Sequence, residues 1–207
     1  MKRFLLTLAL LLSSPVTANE MPYTRKAMEC MKERKCTSGV EEVSLKGQPK
    51  ETKAILKNLE QMGVKVYNAK PTYFIDQYRA VYFPDKNSIY INTKYNDVEG
   101  ELSFLQILRH EAWHAAQDCM AGTISNSDML SIFDHEVIPE HIIEETFARY
   151  GYDDPTVIRI EREAVWVMYE PNMTVKALEA CNSDTPMWET YFPPKRTWRY
   201  LYWHSYL

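Results

Sequence analysis

Five consecutive residues, His110-Glu111-Ala112-Trp113-His114, bring together the side chains that a metal-dependent hydrolase uses. Residues four apart stack on one face of a helix, so both imidazoles can address one ion. Glu111 sits one residue on from His110, about 100° further round such a helix. From there it can reach a water held by the metal without binding the metal itself. Two histidines and one further carboxylate leave a fourth tetrahedral position open, which is the arrangement of a catalytic zinc rather than a structural one. The ion lowers the pKa of its water and polarises a substrate carbonyl, while the glutamate takes the proton. The expected cofactor is Zn2+, with His110 and His114 as ligands and Glu111 as general base.

These side chains need a helix to present them, and the flanking sequence supplies one. From residue 101 to about 121 apolar residues recur at helical spacing, and Gly122 marks the stop. Phe104, Leu105, Leu108, Ala112 and Ala115 mark this helix as largely buried. Two imidazoles and a carboxylate in such a helix cost free energy unless an ion or hydrogen-bond partners satisfy them.

A third ligand must come from elsewhere. Glu161-Arg162-Glu163-Ala164, in the helical segment after Pro155, offers two candidates. Glu161 shares a helical face with Ala164, Val165 and Met168, and Glu163 lies about 200° away. An H-E-x-x-H helix followed by an E-x-E-A helix resembles the gluzincin clan of zinc metallopeptidases. The order of a strand at 88–93, the H-E-x-x-H helix and the glutamate helix is similar to that clan's compact core. The resemblance covers roughly residues 88–170. In the clan's pattern the first glutamate is the ligand, so the resemblance implies Glu161, with Glu163 as the alternative. It also implies a peptidase whose peptide or protein substrate pairs with an edge strand, for which residues 88–93 are the candidate; the leader at 1–18 makes the expected location secreted or periplasmic.

One position departs from the pattern. Many clan members carry an acidic or amide residue four after the ligand glutamate, where it orients a histidine; here that residue is Val165. Asp118 or a backbone carbonyl is then expected to fix the imidazole tautomer. The metzincin extension is absent, because Ala115-Ala116-Gln117-Asp118 follows His114. Two other readings stand beside the peptidase: a catalytically inactive protein that binds zinc and a partner, and a hydrolase of cell-wall peptides. Glu111 favours turnover, since binding alone needs no general base.

Smaller candidates surround the motif. His135, His141, Tyr150 and Tyr152 could each donate to an oxyanion. Glu140, Glu144 and Glu145 read as a solvated helix face. Asn172-Met173-Thr174 matches a glycosylation sequon, relevant only in a eukaryotic source. Neither a phosphate-binding Gly loop nor a G-x-S-x-G element is present.

The elements that must position these residues form an α+β pattern: a small antiparallel or mixed sheet packed on a helical bundle containing the H-E-x-x-H helix. Residues 23–35 are helix-like. Pro49 opens a helix to about Met62, with Ile55, Leu56, Leu59 and Met62 on one face and Gly63 as its stop. Strand composition follows at 64–67, 73–83 and 88–93, with a turn at 84–87. Residues 139–150, 155–169 and 171–181 read as further helices, each with Pro in its opening turn, where a missing amide donor costs nothing. The last twenty residues, rich in Trp, Tyr and Pro, show no clear period.

Composition bounds the rest. The chain has 207 residues, 45% hydrophobic and 25% charged, with a formal net charge of −4. That is a globular balance, and its acidic sign argues against nucleic-acid binding. Fourteen Tyr, 7 Phe and 5 Trp against 6 Gly point to a tightly packed core. Residues 1–18 read as a signal peptide: Lys2 and Arg3, an apolar run at 4–12, then Val16-Thr17-Ala18 as the cleavage site. Residues 19–207 are the expected single domain, with 22 basic and 28 acidic residues, a net of −6. The remaining chain has no stretch apolar enough to span a bilayer. In an oxidising compartment the four cysteines are expected to form two disulfides, Cys30 with Cys36 and Cys119 with Cys181.

Overall fold

The computed structural model describes residues 29–36, 38–74, 78–95, 103–122, 124, 128–133, 137–151 and 154–183. The expected signal peptide, His135, Tyr152 and the aromatic tail lie outside them.

The described chain is α+β. Strand β1 (Val40–Glu42) precedes helix α1 (Lys50–Gln61), strand β2 (Lys65–Ala69), strand β3 (Ala80–Phe83) and strand β4 (Ser88–Asn92). Helices α2 (Phe104–Met120), α3 (Glu140–Tyr150), α4 (Pro155–Val167) and α5 (Met173–Cys181) follow. The strands form one mixed sheet in the order β1-β2-β4-β3. β2 and β4 run parallel, with Val66 opposite Ile89, and the two outer pairings are antiparallel.

Local chemistry sets the boundaries. Helix α2 starts at Phe104, later than the apolar pattern implies, because Ser103 and Gln106 form a reciprocal cap. The Ser103 hydroxyl accepts from Gln106 N, and Gln106 Oε1 accepts from Ser103 N. Asp154 caps α4 by accepting from Thr156 N at 2.8 Å, and Pro155 occupies the first helical position. That helix ends at Val167 rather than 169. The last helix starts at Met173 rather than 171, since Asn172 takes a left-handed conformation at φ 61°. Of the expected strand at 73–83, Ala80–Phe83 forms β3 and Tyr73 belongs to the 3-10 turn Pro71–Tyr73, while residues 75–77 lie outside the described ones.

The placement of β4 corrects one expectation. Residues 88–93 were the candidate edge strand, yet Ser88–Asn92 lies between β2 and β3 and all five residues are buried. Both of its backbone edges are already paired, so it cannot accept another strand. Among the described residues the edge on that side of the sheet belongs to β3.

Helix α2 occupies the centre of the molecule. It packs on β3 and β4 on one side and on α1, α4 and α5 on the others. Leu108, Ala112, Trp113, Ala115 and Ala116 are all fully buried along it. Burial of Leu108 and Trp113 alone stabilises the fold by roughly 2–3 kcal/mol each. Two disulfides hold the periphery. Cys30–Cys36 closes the segment leading to β1, and Cys119–Cys181 joins the ends of α2 and α5. Cys30 lies in helical residues and Cys36 beyond their end, which brings the two Cα atoms to 5.1 Å. Among the described residues no helix is long and apolar enough to cross a membrane.

Candidate metal centre

The helical spacing of His110 and His114 brings their Nε2 atoms to 3.3 Å from each other on one face of α2. Helix α4 crosses this face and delivers Glu161. Its Oε2 lies 3.3 Å from His110 Nε2, and its Oε1 lies 3.7 Å from His114 Nε2. One ligand atom from each residue falls within 4.8 Å of the others, so this His/His/Glu group could hold a metal ion. Glu161 Oε2 is buried and no well-aligned hydrogen bond reaches it, His110 Nε2 at 3.3 Å being its polar neighbour. A buried carboxylate oxygen without a full set of donors is costly, and a cation between it and the imidazoles would complete its surroundings.

The protonation of the three residues is coupled. Burial pushes the Glu161 carboxyl up, but the two imidazoles outweigh it and hold the group well below the usual carboxylate range. Burial pushes the His114 imidazole down, but Glu161 outweighs this and raises it to about 9. Glu111 is buried beside the cluster. Burial raises its carboxyl above the ordinary range, against the opposing pull of His110, His114 and the Tyr82 backbone N–H. A carboxylate raised in this way is the better proton acceptor near neutral pH.

Glu163, the alternative ligand, is turned away from the histidines and is fully buried. Its Oε2 accepts from Trp113 Nε1 at 3.2 Å, Gln117 Nε2 at 2.9 Å and Ile132 N at 3.0 Å. Its Oε1 accepts from Phe133 N at 2.6 Å and from the Ser131 hydroxyl. Every partner is a donor, and together they tie the loop at 131–133 to α2 and α4.

At His114 neither Asp118 nor a backbone carbonyl takes the orienting role. Asp118 instead accepts from the Tyr82 hydroxyl at 2.6 Å. His114 Nδ1 lies 2.8 Å from Gln117 Oε1, and Gln117 Nε2 donates to Ile160 O and to Glu163. Gln117 was legible as the residue three after His114 on the same helical face, but a polar side chain there reads equally well as solvated. Val165 is nearly fully buried in a cluster with Ile138, Ile142 and Met168, where it packs α4 on α3. A charged group has no room or partner there.

Of the smaller candidates, Tyr150 reaches the site. Burial, together with the nearby Glu161 carboxylate, pushes its hydroxyl well above the ordinary phenol range. It therefore stays a neutral donor. His141 is exposed on α3, away from this arrangement. Beside Glu161 opens a cavity of about 550 Å³ lined by Ala121, Met129, Leu130, Val157 and Ile160 among others.

The chain matches no family model, curated protein or solved structure.

Proposed function

We propose that this chain is a zinc-dependent metallopeptidase of gluzincin type, exported from the cytoplasm, that hydrolyses peptide bonds. The observation that carries this reading is the convergence of His110, His114 and Glu161, with Glu161 Oε2 buried, reached by no hydrogen bond and 3.3 Å from His110 Nε2. Nitrogen from two imidazoles and oxygen from one carboxylate suit zinc, and three protein ligands leave a position for water. When bound, the ion would lower the pKa of that water and polarise the scissile carbonyl.

The chain's own residues do the rest. Glu111 takes the proton from the attacking water and passes it to the leaving amine. Its burial raises its proton affinity and keeps bulk water from competing for that proton. Tyr150, neutral and already directed at Glu161, is placed to donate to the oxyanion that forms on the carbonyl. Among the described strands β3 rather than β4 stands at the edge of the sheet, so β3 is the strand against which an extended substrate would pair. The apolar cavity beside Glu161 lies within reach of a substrate side chain. Two disulfides fit an oxidising compartment, as the leader expected at 1–18 would require.

The test compares cleavage of a peptide library, including cell-wall peptides, by the wild type and by Glu111→Gln. The peptidase reading expects cleavage by the wild type, a loss of at least 10³-fold in the variant, and zinc retained in both. Zinc without cleavage by the wild type would favour a binding protein.

A further inference from the structure

We propose that Gln117 and Glu163 are positioning residues that lock His114 as its Nδ1–H tautomer. A glutamine amide can be turned end for end, and here its surroundings decide which way it points. Glu163 Oε2 receives Trp113 Nε1–H and Ile132 N–H, both obligatory donors, so this oxygen acts as an acceptor. Ile160 O is a carbonyl and can only accept. The end of Gln117 that meets both, at 2.9 and 3.0 Å, must therefore be its NH2 group. Its oxygen is left facing His114 Nδ1 at 2.8 Å, and an oxygen there requires a hydrogen on Nδ1. Neutral His114 then has a bare lone pair on Nε2, the atom that faces His110 and Glu161.

The relay has a rigid anchor. Glu163 is fully buried and fixed by the backbone N–H groups of Ile132 and Phe133. The Phe133 ring stacks on Trp113 at 5.4 Å and packs edge-on against Trp166 at 5.1 Å. Trp113 and Gln117 stand on the same helix as the two histidines, so the anchor grips the residues that frame His114. The second glutamate of Glu161-Arg162-Glu163 thus has a role separate from the first. Only the consequence for metal affinity rests on the function proposed above; the tautomer does not.

The test is a long-range 1H–15N correlation spectrum of metal-stripped protein, with His114 in its neutral form. The proton is expected on Nδ1 in the wild type and in Asp118→Asn. In Gln117→Leu, which removes the acceptor, the Nε2–H form should become populated. An Nε2–H wild type, or a Gln117→Leu spectrum unchanged from wild type, would overturn the proposal. The wild-type spectrum decides the matter even if the variant does not fold. A second readout is zinc affinity by chelator competition, expected to fall roughly 10- to 100-fold in folded Gln117→Leu. A correct tautomer in a protein that binds no zinc would sink the peptidase reading and leave this inference standing.

Discussion

Glu51 grips the Arg109 guanidinium through two bonds, Arg109 Nε to Oε1 at 2.8 Å and Nη2 to Oε2 at 2.7 Å. Arg109 directly precedes His110, and its third contact is Nη1 to Met168 O at 3.1 Å, just past the end of α4. Asn172 N also donates to Glu51 Oε1, so one carboxylate joins α1, the H-E-x-x-H helix and the start of α5. Both side chains are largely buried. Replacing Glu51 with Ala should lower stability by about 3 kcal/mol, because it leaves a buried guanidinium unpaired. Urea unfolding measures this.

The same pair sets part of the acid response. Burial pushes the Glu51 carboxyl up, but the Arg109 and Asn172 bonds outweigh it and the net shift is downward from 4.5. A depressed carboxyl contributes stability above its unfolded value and loses it as pH falls through the folded one. Thermal melts between pH 5 and pH 3 should show a shallower decline for Glu51→Gln than for the wild type.

Asp118 behaves in the opposite sense. Burial raises it from 3.8 to about 6, with Asp128 adding to the shift and the Tyr82 hydroxyl opposing it. Its folded form favours the proton, so the stability it contributes is full below pH 3.8 and is lost as pH rises through about 6. Asp118→Asn keeps an acceptor for Tyr82 and should gain melting temperature over the wild type at pH 7.5 but not at pH 3.5.

The disulfides should differ in weight. Cys119 and Cys181 are 62 residues apart, and a loop of that size corresponds to about 4 kcal/mol of lost unfolded-state entropy. Cys30 and Cys36 are 6 apart, which corresponds to about 2 kcal/mol. Denaturant midpoints of Cys119→Ala/Cys181→Ala and Cys30→Ala/Cys36→Ala should rank in that order.

Val165 holds the position at which an orienting acid stands in many gluzincins, and its surroundings leave no such role open. Val165→Asp should not strengthen the site. It should destabilise the protein by about 3 kcal/mol or more, since a carboxylate would be buried among Ile138, Ile142 and Met168. Circular dichroism melts report the loss.

What the sequence made legible was whatever depends on neighbours in the chain. The four-residue spacing of His110 and His114 needs only a helix to bring them together. Proline positions marked the openings of α3, α4 and α5 to within two residues. The position of β4 inside the sheet was not legible, because an apolar run such as Ser88–Asn92 is compatible with edge or centre until its partners are known. The roles of Glu161 and Glu163 depend on how α4 crosses α2, a tertiary relation no local pattern encodes. Ser131 and Phe133 were missed for a similar reason, since their loop has no periodicity and acts through backbone N–H groups.

Whether His110, His114 and Glu161 hold one zinc ion is decided by calorimetric titration of the metal-stripped protein and of Glu161→Gln with Zn2+. One zinc per wild-type chain is expected, with affinity reduced at least about 100-fold in the variant, given that losing a direct ligand should cost no less than losing its outer partner. A wild type that binds no zinc, or a variant that binds it equally well, would contradict that expectation.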